Sequence, residues 1–192
     1  PVHTATPRPP GQEAPGRDLT GTTLVDFRVE RLLGHGGMGE VYLARQVSLD
    51  RPVALKILKP ALLSNPTHLA RFEKEALSAA KLNHPNVVQI YSLGEFDGLK
   101  FIAMEYVQGT NLKEYLVKKG PPDLPLALAI MRQAGQAVAA AGEFGLIHRD
   151  IKPENLLLDG ATLQVGDFGI GRVLDTADLE DTLTRTGVPI GT

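Results

Sequence analysis

The chain has 192 residues, with 20 Lys+Arg against 22 Asp+Glu and a formal net charge of −2. That near balance argues against a nucleic-acid or membrane-surface protein. The absence of cysteine excludes disulfide scaffolds and Cys-ligated zinc.

The length suits one ordinary domain. The 20 Gly and 14 Pro are a high share that local structure must place. The longest apolar run, Leu124 to Met131, is broken by Pro125 and falls far short of the roughly 18 residues that span a bilayer. The sequence opens at Pro1 without a signal-peptide pattern, which reads as the start of a fragment.

Residues 1–20 hold five of the 14 prolines and little to bury, so 1–21 is read as a disordered leader. From Thr22 the texture changes. Phe27 to Leu32 alternates like a half-buried strand, a glycine cluster follows, and Val41–Ala44 and Val53–Leu58 complete an antiparallel meander. Asn65 and Pro66 are an N-cap and first-turn pair. Leu69, Phe72, Ala76 and Ala79 then recur at helical spacing as far as Leu82. Two strands follow, near Val88–Leu93 and Leu99–Glu105, turning at Asp97-Gly98.

Beyond Gly109 the pattern turns helical. Leu112–Lys118 is a short helix, and Leu124–Glu143 is Ala-rich and apolar on most sides, which predicts a buried helix. Leu156–Leu158, a turn at Asp159-Gly160 and Leu163–Val165 form a hairpin. The class is α+β: a β-rich half over 22–108 and a helical half over 109–192, with the site expected between them.

Gly34-His35-Gly36-Gly37-Met38-Gly39 matches G-x-G-x-x-G. Alone it is a weak signal, shared by glycine-rich turns and dinucleotide folds. Here a strand follows rather than a helix, so the loop is a hairpin tip whose bare backbone can approach phosphates. In the period-two strand that follows, Val53, Leu55 and Ile57 share one face, and Ala54 and Lys56 the other. A lone Lys is usually a solvated surface charge. Glu75 alters that balance, because it lies on the apolar face of its helix and a carboxylate there wants a partner. Lys56 is the expected one, whereas Glu73 points to solvent.

His148-Arg149-Asp150-Ile151-Lys152-Pro153-Glu154-Asn155 is the most specific stretch. Asp150 can accept the proton of an attacking hydroxyl. Lys152 can offset charge on a transferred phosphoryl group. Asn155 precedes the first strand of the hairpin and Asp167, of Asp167-Phe168-Gly169, follows the second. Antiparallel pairing therefore brings two oxygen ligands together as a hard-cation site. Any one of these could be an ordinary loop residue, but their joint order and spacing make that improbable.

These motifs resemble those of Hanks-type protein kinases, most closely the bacterial Ser/Thr branch, over roughly residues 24–192. The resemblance implies a bilobal kinase fold with a complete β-rich upper lobe and the first part of the helical lower lobe. It implies a protein Ser/Thr kinase with ATP and Mg2+ (Mn2+ as an alternative). Lys56 would bind the α/β-phosphates and pair with Glu75, Asp150 would be the base with Lys152 beside it, and Asn155 and Asp167 would hold the metal. Gly34, Gly36, Gly37 and Gly39 would cover the phosphates. Leu33, Val41, Ala54 and Leu157 would sandwich adenine, Met104 would be the gatekeeper, and Glu105 and Val107 the hinge. Ala79, Ile90, His148 and Phe168 would stack as a spine, with Ala79 small for that role.

Arg149 implies control by phosphorylation of the activation loop, at Thr184 or Thr186, with Thr182 weaker and Thr192 matching a threonine that contacts the catalytic Asp and Lys. Partners implied are protein substrates with Ser or Thr and a second copy for autophosphorylation. No nucleic acid or membrane contact is implied, and the location is cytoplasmic. The family pattern continues past Thr192, so the fragment is expected to be poorly stable and inactive, with apolar surface of the Leu124–Glu143 helix uncovered. Two other classes compete. A small-molecule kinase of the aminoglycoside or choline type usually lacks the Arg149/Lys152 arrangement. A pseudokinase scaffold predicts loss of Lys56, Asp150 or Asp167, and all three are present.

Overall fold

A computed structural model describes residues 18–37, 39–59 and 66–168. Its first part is a six-stranded sheet in the order β1-β2-β3-β4-β6-β5. The strands are β1 (Thr23–Leu24), β2 (Phe27–Gly36), β3 (Gly39–Gln46), β4 (Arg51–Leu58), β5 (Ile90–Phe96) and β6 (Leu99–Glu105). All neighbours pair antiparallel, as the meander predicts. Helix α1 (Pro66–Ala80) packs on the sheet beside β5. It begins at the predicted proline and ends two residues short of Leu82. Asn65, the expected cap, lies outside the described residues.

Both faces of β4 are buried. Val53, Leu55 and Ile57 join Phe27, Val29, Tyr42, Phe101 and Ala103 in one core, while Ala54 and Leu58 belong to a second core shared with α1 and the lower half. Phe27 and Phe101 meet edge to face, with centroids 5.6 Å apart. Gly94 makes room for Phe101, since a Cβ there would fall 2.3 Å from the ring.

The expected leader is shorter than 1–21. Leu19 is only 4% exposed within the outer core. Its carbonyl accepts from Thr22 N at 3.0 Å, and Gly21 N donates to Val29 O at 2.9 Å. A single leucine flanked by polar residues gives no periodic signal, so its burial was not legible from composition. Residues 1–17 lie outside the described set.

The second part holds β7 (Thr110–Asn111), α2 (Leu112–Lys119), α3 (Leu124–Glu143), a 3-10 turn at Pro153–Asn155, β8 (Leu156–Asp159) and β9 (Thr162–Val165). Asn111 caps α2 by accepting from Glu114 N at 2.9 Å, and Asp123 caps α3 by accepting from Leu126 N at 3.0 Å. Strands β7, β8 and β9 form a small antiparallel sheet.

Read from its composition as a buried helix, α3 is buried only in part, and the uncovered apolar surface expected of it is present. Only Ile130, Ala137 and Ala141 are buried, while Leu124, Leu128, Met131 and Val138 are 71, 56, 70 and 43% exposed. Among the described residues its main packing partner is β9. Composition reported an apolar helix, but burial needs a neighbour on each face. Among the described residues, no helix is long and apolar enough to cross a membrane.

Candidate functional site: a cleft between two lobes

The two parts enclose a cleft of about 700 Å³, a size suited to a small organic ligand. Its roof is the β2–β3 glycine hairpin and its back wall is β4 with Met104. Every residue expected to bind nucleotide, from Leu33 to Leu157, lines it, as do Asp150, Lys152, Asn155 and Asp167. Glu75 and Arg149 lie outside this lining. Thr182, Thr184, Thr186 and Thr192 lie outside the described residues.

The roof is braced from its own strands. Tyr42 donates its hydroxyl to Glu40 at 2.7 Å, and His35 Nδ1 lies 3.5 Å from the other Glu40 oxygen. Burial, reinforced by that carboxylate, pushes the Tyr42 phenol up to about 12. Gly39 has φ +149°, and a Cβ there would meet Ile57 O at 1.8 Å. The protein itself therefore demands glycine at this position. At Gly34 and Gly37 an added Cβ would meet nothing within 4 Å, so packing does not demand glycine there.

Lys56 is 4% exposed, and a buried ammonium needs a partner. That partner is Asp167, with Nζ to Oδ1 at 2.8 Å. The expected Lys56–Glu75 pair is corrected. Glu75 instead faces Arg149 of the lower half at 3.6 Å. Helical phase placed Glu75 on the inward face but does not say which cation it meets, and Asp167 arrives at Lys56 from the lower half. Glu73, expected in solvent, bonds Lys100 at 3.0 Å and is 46% exposed.

Below the cleft, the loop 148–155 is fixed by local bonds. His148 is 4% exposed. Its Nδ1 accepts from Asp150 N at 3.2 Å, so Nε2 carries the proton given to Gly166 O at 2.8 Å. Its ring meets Phe168 edge to face, with centroids 4.6 Å apart. Ala79, Ile90 and Phe168 share the continuous core beneath. Arg149 and Asp167 hold φ +64° and +56°, an uncommon conformation for residues with a side chain. Such local strain concentrates at functional sites.

The hairpin does what its sequence predicts. Leu156 pairs with Val165, and Gly166 N donates to Asn155 O at 2.9 Å. Asn155 and Asp167 therefore flank one edge. The Asn155 amide nitrogen donates to Asp150 O at 2.9 Å and to Asp150 Oδ2 at 3.2 Å. That commits its NH2 and leaves its carbonyl oxygen as the ligating end. A neutral amide oxygen and a carboxylate fit a hard divalent cation that completes its shell with phosphate and water.

Asp150 and Lys152 lie 2.7 Å apart. The Lys152 ammonium holds the Asp150 carboxyl below the usual carboxylate range, and Asp150 in turn raises Lys152. Asp150 is thus an ionised acceptor with a cation beside it.

Several participants escaped sequence reasoning. Gly109 lets the connecting segment touch β8, because a Cβ there would fall 1.8 Å from Leu158 O. Asn86 is buried and donates to Gln133 Oε1 at 2.8 Å and to Leu163 O at 2.7 Å. Gln89, Gln164 and the Glu105 carboxylate also join across the lobes. The available signal was a polar residue inside each short apolar run, which by itself does not name a partner.

A β-rich lobe carrying a glycine roof and a buried lysine thus stands over a loop that holds Asp150, Lys152 and the Asn155–Asp167 edge. A family profile described as protein kinase domain matches residues 27–187, and the chain belongs to that family. It is 42% identical over 177 residues to the serine/threonine-protein kinase pkn3 of Myxococcus xanthus, covering 89% of this chain and 32% of that protein. It is 44% identical over 166 residues to the serine/threonine-protein kinase PrkC of Bacillus subtilis, covering 86% of this chain and 25% of that protein. The chain therefore spans a quarter to a third of these relatives. The crystal structure of the Mycobacterium tuberculosis PknI kinase domain superposes with a TM-score of 0.69 at 36% identity, covering 79% of this chain and 62% of that one.

Proposed function

We propose that this chain supplies the nucleotide site and catalytic loop of a cytoplasmic protein Ser/Thr kinase that uses ATP with Mg2+. The observation that carries the reading is convergence. Lys56 of the upper lobe and Asp150, Lys152, Asn155 and Asp167 of the lower lobe line one cleft under a glycine roof.

The geometry supports the following roles. Ala54 and Leu157 offer apolar surface to a purine, and the backbone from Glu105 to Val107 offers it hydrogen bonds. Asp150 accepts the proton of a Ser or Thr hydroxyl as that oxygen attacks the γ-phosphorus. The bond from that phosphorus to the bridging oxygen breaks, and ADP leaves with the electron pair. Lys152 offsets the charge on the moving phosphoryl group. When bound, Mg2+ would neutralise charge on the phosphates, and Asn155 and Asp167 are the residues that would hold it. Lys56, bound here to Asp167, is placed to meet the phosphates when they enter.

The test is to incubate the full-length protein with γ-labelled ATP, Mg2+ and a generic protein substrate, then hydrolyse the product. Label on phosphoserine and phosphothreonine is expected. Label on phosphotyrosine, or transfer confined to a small-molecule acceptor, would overturn the assignment.

A further inference from the structure

Glu105 closes β6, where the upper sheet hands over to the connecting segment. Its backbone N donates to Gln89 O at 2.8 Å. Its carboxylate is also engaged. Oε2 accepts from Gln89 N at 3.3 Å and from Gln164 Nε2 at 2.9 Å. Gln89 anchors onward, donating its side-chain amide to Ala80 O at 3.0 Å, the last residue of α1. One half-buried carboxylate thus joins the end of α1, the connecting segment and β9 of the lower lobe.

The position of Gln164 gives this contact its meaning. It stands three residues before Asp167, and the backbone between them is held. Val165 N donates to Asn86 O at 2.8 Å, Val88 N donates to Val165 O at 3.0 Å, and Gly166 N donates to Asn155 O at 2.9 Å. β9 ends at Val165, so position passes along a short path, from Gln164 through the bonded amides of Val165 and Gly166 to the turn residue Asp167. At its far end Asp167 meets Lys56, whose strand β4 is the direct neighbour of β6 (Lys56 opposite Ile102). The loop therefore closes on itself: Glu105, Gln164, Asp167, Lys56 and back through the sheet.

A half-buried carboxylate is costly without donors. This one has donors from both lobes, and hydrogen bonds to a charged acceptor are about twice as strong as neutral ones. We propose that the Glu105 carboxylate and Gln164 form a clasp that positions Asp167. It registers the metal-side residue of the cleft against the adenine-side segment, although neither member of the clasp touches the phosphates. Glu105 and Gln164 act here as positioning residues, not catalytic ones. The consequence for nucleotide rests on the kinase reading, whereas the clasp itself does not.

The test exchanges charge and amide in the full-length protein. Gln164→Glu sets two carboxylates against each other. The double exchange Glu105→Gln with Gln164→Glu restores one donor facing one acceptor. Two readouts are taken: amide hydrogen exchange at Val88 and Val165 without ligand, and the Mg2+ concentration needed for half-maximal ADP binding. Gln164→Glu should speed that exchange roughly tenfold, the worth of a lost charge-assisted bond, and raise the Mg2+ midpoint at least about threefold by the same loss. The double exchange should return both toward wild type, and should recover folding if the single variant does not fold.

Two equally impaired variants, an unaffected single variant, or faster exchange with an unchanged Mg2+ midpoint would each overturn the proposal. Failure of wild type to bind ADP with Mg2+ would overturn the kinase reading instead, with the exchange measurements still judging the clasp.

Discussion

In β4 every residue from Val53 to Leu58 is buried, whereas in α3, equally apolar by composition, only Ile130, Ala137 and Ala141 are. The strand has the sheet's outer core on one face and α1 with the lower lobe on the other. The helix has a packing partner along one stripe and leaves Leu124, Leu128, Met131 and Val138 exposed. Apolar content therefore measures capacity for burial, and the neighbours decide how much is realised. The consequence for the site is asymmetric. Lys56 rests on a strand closed on both sides, while the residues facing it come from short loops held by individual hydrogen bonds.

Substitutions can break this contrast in either direction. The largest effect is expected in the strand. Leu55 is 0% exposed, so Leu55→Ala should cost about 2–5 kcal/mol in denaturant unfolding of this chain. Leu128→Ala, on the open stripe of α3, should stay within about 0.5 kcal/mol under the same conditions. A comparable loss at Leu128 would show that the stripe is covered and would contradict the contrast.

Gly39→Val should follow, costing about 2–3 kcal/mol through the clash with Ile57 O and the positive φ. Its measurement is the unfolding midpoint, and nucleotide affinity should fall with it because the roof is displaced. Gly109→Ala pushes the connecting segment off Leu158 O. It should raise the KM for ATP by about tenfold while changing kcat little, as expected when uniform binding is lost. Removal of the α3 cap by Asp123→Ala should cost about 1 kcal/mol.

The smallest effect is a pH shift. Lys152 holds Asp150 below its ordinary pKa, so this pair contributes stability above the ordinary carboxylate value and loses it as pH falls through the depressed one. Lys152→Ala should therefore move the acid limb of the rate profile upward in pH. An unchanged limb would mean that Lys152 does not set the charge of Asp150.

Legibility followed the range of the interactions. Local ones were readable: the first turn of α1 at Pro66, both ends of α3, and the hairpin that sets Asn155 beside Asp167. Each is decided by residues within one or two turns of the chain. The ion pairs were not. The Lys56 partner proved to be Asp167, 111 residues away, and the periodicity of α1 carries no information about a carboxylate that arrives from the lower lobe. Leu19, Gly109 and Gln164 were missed for a related reason. One leucine, glycine or glutamine carries no period, and its importance appears only when a distant backbone or carboxylate closes on it.

The central claim is that the two lobes build a phosphotransfer site in which Asp150 is the base. It is tested most directly by comparing full-length wild type with Asp150→Asn for both ADP binding and phosphate transfer. The expected result is nucleotide binding within about twofold of wild type and transfer reduced by about 10²–10⁴, the usual worth of a positioned general base. Undiminished transfer by Asp150→Asn would contradict it.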